Sequence, residues 1–443
     1  MRQRRTLGRK TLKARRSIEK APTAMVMLEY ASANRAHQRA RAVVRSAPWL
    51  FRRCFGKWIA VSQYGFPFSF GPYPTSVARF RALARRSRFA ENSRLFHTLA
   101  SIAMALAWPL GAFSTALKTR ARMRERGQAP NGVRILFDMY WLALRRSIPP
   151  LEYALYQFNC AERRKDMHEY VYSNDGSGLA ALNARLGADN RDVQDKGRFA
   201  DICAMHGFPH VPTLAVFDSG RRIRPAAPFV PVAPVLWTKA LRLKGGAGAA
   251  KWIKDGEGYY VTQNRRVRAD KLADEFRKQD CLVQPFIENH PDIARVSNGA
   301  LASLRIVTGM HTNGEADFVT ALIALPYGAR DTSVAGILCS IEPETSRIRK
   351  AALPGNKPVT NHPDTGAPVI GTTVPFWHES VDLVRRAHAA AFSRFAFLGW
   401  DIALTKDGPI LLETNSGWGA LFHQMLDGPI GHTAFSRLLS HYV

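Results

Sequence analysis

The sequence predicts an α+β fold, and three features carry that expectation. After about residue 190, short β-rich runs alternate with Gly/Pro turns, at 211–217, 234–240, 258–264, 281–287, 300–308 and 316–325. Helical patterns lie between and after them, at 196–206, 268–279 and 378–395. Upstream, 76–128 and 133–170 read as helical, with Ile135, Leu136, Met139, Leu142 and Leu144 near helical spacing and a break at Pro149 and Pro150. Segregated helices and short strands favour antiparallel pairing. The expected organisation is a basic, mostly helical region over 1–128, a helical lead-in over 129–190 and an α+β body over 191–443.

Charge separates these parts. The chain has 443 residues, 46% of them hydrophobic, and a net charge of +28. Residues 1–126 hold 27 Lys and Arg against four acids, so the remainder is close to an ordinary soluble protein. Such asymmetry suggests an acidic partner for the first third, and an anionic membrane surface is the leading expectation. Nucleic acid is not expected, because no recognised nucleic-acid module accompanies the charge. Residues 46–75 mix aromatics with Arg and Lys, as either a packed loop or an interfacial anchor. The five cysteines, Cys54, Cys160, Cys203, Cys281 and Cys339, lie far apart with no CxxC pair. They argue against a disulfide framework or a zinc site and for a reducing compartment, hence a cytoplasmic protein, peripheral on the inner face of the membrane if it meets lipid.

The stretch 95–117 has no formal charge and is long enough to span a bilayer, but it contains His97, Pro109 and Gly111. A buried helix with basic shoulders is the simplest reading; a membrane-surface helix and a true span are the alternatives.

The segment LGWDIALTKDGPILLETNSGWG (398–419) is the most informative. Lys406-Asp407-Gly408 reads as a three-residue hairpin loop with Gly in the left-handed position. That register places Ile402 opposite Leu412, Leu404 opposite Ile410, and Asp401 opposite Glu413 on the other face, with Asn415 two residues on. Opposed carboxylates repel, and a divalent cation removes the conflict. Two carboxylates and an amide oxygen suit Mg²⁺.

Upstream, DKGRFA places Lys196 at a helix start. VLWTKALRLKGGAGAAK places Lys239 at a strand end, before Gly245, Gly246 and Gly248. Small residues beside lysines let backbone N–H groups approach phosphate oxygens, although a flexible surface loop has the same composition. There is no GxxxxGK[ST] and no strand-borne GxGxxG, which excludes a Walker-type loop and gives a Rossmann site no support. CLVQPFIEN (281–289) reads as a buried strand leading to a polar turn. Arg305 stands in the apolar run SLRIVT, where a charge needs an acid or a phosphate. NHPDTGAP (361–368), with His362 and Asp364, reads as a polar turn at the surface, with a substrate loop as the alternative.

Taken in order, GWDIALTKDGPILLETN, DKGRFA, Lys239 with its glycines, VQPFIENHP and SLRIVT resemble the ATP-grasp superfamily, over roughly residues 130–443. Within it they resemble the sugar-transfer-associated ATP-grasp family, related to RimK-type α-L-glutamate ligases and D-alanine–D-alanine ligases. Thr414 stands where the family pattern has Gly before Asn415. The resemblance implies an ATP-grasp fold, two α+β subdomains clasping ATP, over 191–443. It implies that Lys196 and Lys239 contact ATP phosphates, with the loop Gly245, Gly246 and Gly248 closing over them. Gln284 and Ile287 would face adenine and Asp292 the ribose. Arg305 would meet the transferred phosphoryl group, and with Lys239 it would act in catalysis. Asp401, Glu413 and Asn415 would hold Mg²⁺. The implied activity is an ATP-dependent ligase that activates a small-molecule carboxylate as an acyl phosphate and passes it to an amine or sugar-linked acceptor. Polysaccharide or cell-surface glycan modification is the implied setting, and the acceptor's contacts are expected within 326–376. An ATP-grasp kinase and a membrane-associated binding protein with a non-catalytic nucleotide site are the alternatives.

Overall fold

The computed structural model describes residues 73–87, 94–125, 132–219, 221–224, 229, 231–242, 248–262, 265–328, 332, 336–353 and 356–443. Contacts divide the chain into one unit up to Gly178 with Ala352–Pro358, and a second made of Leu179–Ala351 and Val359–Val443.

In the first unit, the part up to Gly178 is mainly helical where it is described. Helices α1 (Ser76–Ser87), α2 (Arg94–Glu125), α3 (Gly132–Arg146), α4 (Pro150–Leu155) and α5 (Ala161–Lys165) follow in order. The helical run over 133–170, expected to break at Pro149 and Pro150, is three helices. Pro150 opens the second of them, where a missing N–H removes no helical bond. Trp108 and Ala112 of α2 are buried with Ala143 of α3, so the two long helices share a core. Tyr153, Tyr156, Phe158, Tyr170 and Tyr172 are buried together and form edge-on and tilted ring pairs. Arg81 of α1 lies over the Tyr172 ring, 4.5 Å from its centroid, and 3.4 Å from Asp175.

Helices α6 (Gly176–Arg185), α7 (Arg191–Gln194) and α8 (Lys196–Met205) lead to an antiparallel sheet. Its strands are β1 (Ala215–Asp218), β2 (Arg221–Arg224), β3 (Val235–Ala240), β4 (Ala250–Lys254), β5 (Tyr259–Thr262), β6 (Arg265–Arg268) and, after α9 (Leu272–Phe276), β7 (Cys281–Pro285). The order is β2-β1-β7-β3-β4-β5-β6. One face packs Leu236, Trp252, Cys281 and Val283 on Leu272 and Phe276 of α9. By strand alternation Trp237, Lys239 and Gln284 belong to the opposite face, since Trp237 and Gln284 are direct partners and Lys239 pairs with Leu282.

A short helix, α10 (Pro291–Ala294), precedes the second sheet. That sheet uses β8 (Ser303–Met310), β9 (Ala316–Leu325), β10 (Ile337–Glu342), β11 (Arg347–Leu353) and, after α11 (Trp377–Ala391), β12 (Phe397–Thr405) and β13 (Gly408–Asn415). They run in the order β11-β10-β9-β8-β12-β13, and the two-residue strand Lys357–Pro358 pairs antiparallel with β11 at the outer edge to make seven strands. Helices α12 (Ala420–Asp427) and α13 (Ala434–Leu439) end the chain. On the α11 face, Thr308 Oγ1 accepts from Trp400 Nε1 at 2.8 Å and lies 2.7 Å from His388 Nδ1. These polar groups are buried and mutually satisfied.

Residues 209–214 link the sheets. Val211 N donates to Leu411 O and Leu411 N to Pro209 O, while Leu214 N donates to Val283 O. The strand expected over 211–217 is therefore half strand and half strap. In the region 326–376, expected to supply substrate loops, the described residues include β10, β11 and a turn over 361–368. His362 is buried rather than at the surface, with Nε2 3.0 Å from Pro326 O, and Asp364 accepts from Gly328 N.

Candidate active site

The hairpin of β12 and β13 sets the site. Its turn differs from expectation: Thr405 pairs with Gly408, so Lys406 and Asp407 form a two-residue loop. Thr405 Oγ1 fixes the turn, donating to Gly408 O at 2.8 Å and accepting from Asp407 N at 3.2 Å. Leu404 then faces Pro409 and Ile402 faces Leu411, one residue away from the expected pairs. A bulge between Asp401 and Ile402 takes up the difference at Leu412. Beyond it Asp401 faces Glu413, as expected, and Gly399 faces Asn415. The bulge thus opposes the two carboxylates while Leu411 stays buried. Gly399 carries no side chain for a steric reason, because a Cβ there would collide with Trp418.

Arg305 is the cross-strand partner of Asp401 on β8. It grips the carboxylate with both arms, Nε to Oδ1 and Nη2 to Oδ2, each at 2.7 Å. Lys196 follows Asp195, which caps α8 by accepting from Gly197 N and Arg198 N. Its Nζ lies 3.7 Å from Glu413 Oε2. Lys239, on the face of the first sheet away from α9, interacts electrostatically with Glu413 and Asp401. Lys196, Phe199, Glu413, Thr414 and Asn415 line one pocket together with Val193 and Gln194.

Burial pushes the Asp401 carboxyl above its ordinary value; Arg305 opposes this and Glu413 adds to it. Burial also opposes ionisation of Glu413, but Lys239, Lys196 and Arg305 outweigh it and hold its carboxyl low. The Lys239 ammonium is held below its ordinary value, first by burial and then by Lys196, with Glu413 and Asp401 pulling the other way. Three cations therefore surround two acids. The surplus is positive, and a polyphosphate would relieve it.

The donor set also fits a hard divalent cation. Asp401 and Glu413 carry only oxygen donors and Asn415 has an amide oxygen to add, and a carboxylate oxygen bound to Arg305 keeps a second lone pair. Among the described residues no group of three or more His, Cys, Asp or Glu is placed to hold a metal. An ion here would need further oxygens from phosphate and water, which is how Mg²⁺ is usually bound.

The remaining expected residues are placed as follows. Gly248 has φ +74° and packs against Ala240 at the end of β3, while Gly245 and Gly246 lie outside the described residues. Gln284 is buried and its Nε2 donates to Val211 O at 3.4 Å. Ile287 is half-buried just past β7. Asp292 is exposed, with its carboxylate 3.6 Å from His290 Nδ1. The sequence reading missed an aromatic group beside Gln284. Lys251 Nζ sits 3.9 Å above the Phe286 ring, and Trp237 lies 6.3 Å from that ring. The signal was present: Trp237 is two residues before Lys239 in a strand, hence on the same face.

A family model described as sugar-transfer associated ATP-grasp matches residues 182–437, more than half of the chain. The chain belongs to this family. The match begins past the basic first third and contains Lys196, Lys239, Arg305, Asp401, Glu413 and Asn415. No curated protein matches the chain. Several solved structures are similar to it. A D-alanine–D-alanine ligase from Helicobacter pylori is 10% identical over 57% of this chain and 58% of its own, with a TM-score of 0.33. A RimK domain ATP-grasp protein from Sphaerobacter thermophilus is 15% identical over 59% and 70%, with a TM-score of 0.29. An N5-carboxyaminoimidazole ribonucleotide synthetase is 11% identical over 51% and 45%, with a TM-score of 0.30, so this chain spans less than half of that enzyme's length. The activities of those enzymes are their own.

Proposed function

We propose that this chain is an ATP-dependent ligase that activates a carboxylate as an acyl phosphate and transfers it to an amine or a sugar-linked acceptor. The observation that carries the proposal is the convergence of Lys196, Lys239 and Arg305 on the Asp401–Glu413 pair. Phosphoryl transfer needs positioning and charge neutralisation rather than a protein nucleophile, and this cluster supplies both. Lys196 and Lys239 bind phosphate oxygens of ATP. Arg305, held rigid by Asp401, presents its remaining N–H groups to the oxygens of the group in transfer. Asp401, Glu413 and Asn415 would hold Mg²⁺, which when bound neutralises charge on the phosphates. Trp237, Gln284 and Phe286 give the base an aromatic and amide-bearing wall. Glycan modification is the setting that the family's description supports.

The test is product analysis with ATP, a panel of small carboxylates, and amino or amino-sugar acceptors. The proposal expects ADP and phosphate only when both partners are present, with an amide-linked product. A stable phosphorylated product that forms without an acceptor would make the chain a kinase instead.

A further inference from the structure

Helix α2 carries an apolar ridge on its exposed side. Leu95, Leu99, Ile102, Leu106, Leu110 and Leu117 recur in steps of three, four and seven, which sets them in one stripe. All are exposed, and Leu106 and Leu110 are 75% and 77% accessible. The helix's buried side is a different one, formed by Trp108, Ala112 and Ala116. A ridge from Leu95 to Leu117 is roughly 33 Å long, far beyond the scattered leucines that a soluble surface tolerates. The neighbouring α3 also exposes Val133, Phe137 and Trp141, and Arg145 stacks on Trp141 at 5.1 Å.

The charge around the ridge selects its occupant. Past Leu117 the stripe continues into Arg120 and Arg124, beside the exposed Lys118, and the only acid in α2 is Glu125. The first 126 residues carry 27 Lys and Arg against four acids. A second copy would bring like charge against like, whereas an anionic surface meets both the leucines and the cations. Among the described residues no helix is long and apolar enough to cross a membrane, and Pro109 lies within this one. We propose that the ridge docks on an anionic membrane surface, with α2 lying in the membrane plane. The leucines sit at the acyl boundary, and Lys118, Arg120 and Arg124 lie among the phosphate headgroups. Such docking would set the enzyme beside lipid-borne substrates, yet the proposal stands independently of the ligase reading.

The test is co-sedimentation of the full chain with phosphatidylcholine vesicles, with and without phosphatidylserine. It compares the wild type with a Leu106→Glu, Leu110→Glu variant. Hydrogen exchange over 95–117 and sedimentation velocity without lipid complete the set. Expected are binding only to the anionic vesicles, at least a tenfold loss in the variant with unchanged circular dichroism, and slower exchange across the ridge when vesicles are added. Equal binding by the variant would assign the contact to other basic residues and overturn the proposal. A wild-type dimer that the variant dissociates would assign the ridge to a second copy. Ridge exchange that vesicles leave unchanged would also overturn it.

Discussion

Arg305 and Asp401 are best understood together. Both oxygens of a buried carboxylate are held by one guanidinium, so deleting the cation strands a charge in a poorly hydrated place. Arg305→Ala is expected to cost about 3 kcal/mol in chemical denaturation and to abolish turnover. Adding Asp401→Asn should recover much of the stability and none of the activity. If Arg305→Ala is as stable as the wild type, the pair does not carry the structural charge balance described. Arg305→Lys should keep the fold but lose rate, because a lysine cannot replace the two-armed grip. This residue was legible in the sequence as a charge within an apolar strand. Its partner was not, since strand neighbours 96 residues apart leave no local trace.

The hairpin shows where legibility ends. The pattern GWDIALTKDGPILLETN places a turn and two strands, and the opposed carboxylates follow from a symmetric count about Asp407. The structure reaches the same opposition by another route, a shorter turn and a bulge at Leu412. A bulge adds one residue without altering composition, so alternation alone does not reveal it. What decides the register is burial of Leu411 and closure by Thr405, both tertiary facts. Gly408, at φ +127°, sits in a conformation that side chains rarely adopt. Gly408→Ala should therefore lower the unfolding free energy by about 1 kcal/mol or more while leaving nucleotide affinity within a factor of two or so, because the bulge isolates the site from the turn. An equal loss of affinity would show that turn and site are coupled. The α2 ridge was half-legible: its apolar length was plain, but the buried-helix reading fails because the leucines are exposed and Trp108 with its alanines is buried.

At the scale of the molecule, the family match covers the second unit's sheets and leaves the basic first third outside it. Acid should act on the second unit through two buried histidines. Burial pushes His388 down to about 4, and burial with Arg305 pushes His423 down to about 3. The unfolded chain takes up these protons first, near the ordinary histidine value. Stability is therefore full above pH 6.5 and drains as pH falls toward 4, by about 2 kcal/mol for His388 at pH 5. Melting temperatures across that range should fall, and His388→Gln, less stable at neutral pH, should show a flatter slope. An identical slope would place the acid sensitivity elsewhere. The central claim is that three cations and two opposed carboxylates form a Mg²⁺-dependent ATP site, and calorimetric titration of ATP with Mg²⁺ into wild type, Glu413→Gln and Glu413→Ala tests it most directly. The account predicts saturable binding by the wild type that chelation of Mg²⁺ weakens, with both variants folded and at least tenfold weaker. A folded wild type that gives no binding heat, or a Glu413→Ala variant that binds as the wild type does, would contradict it.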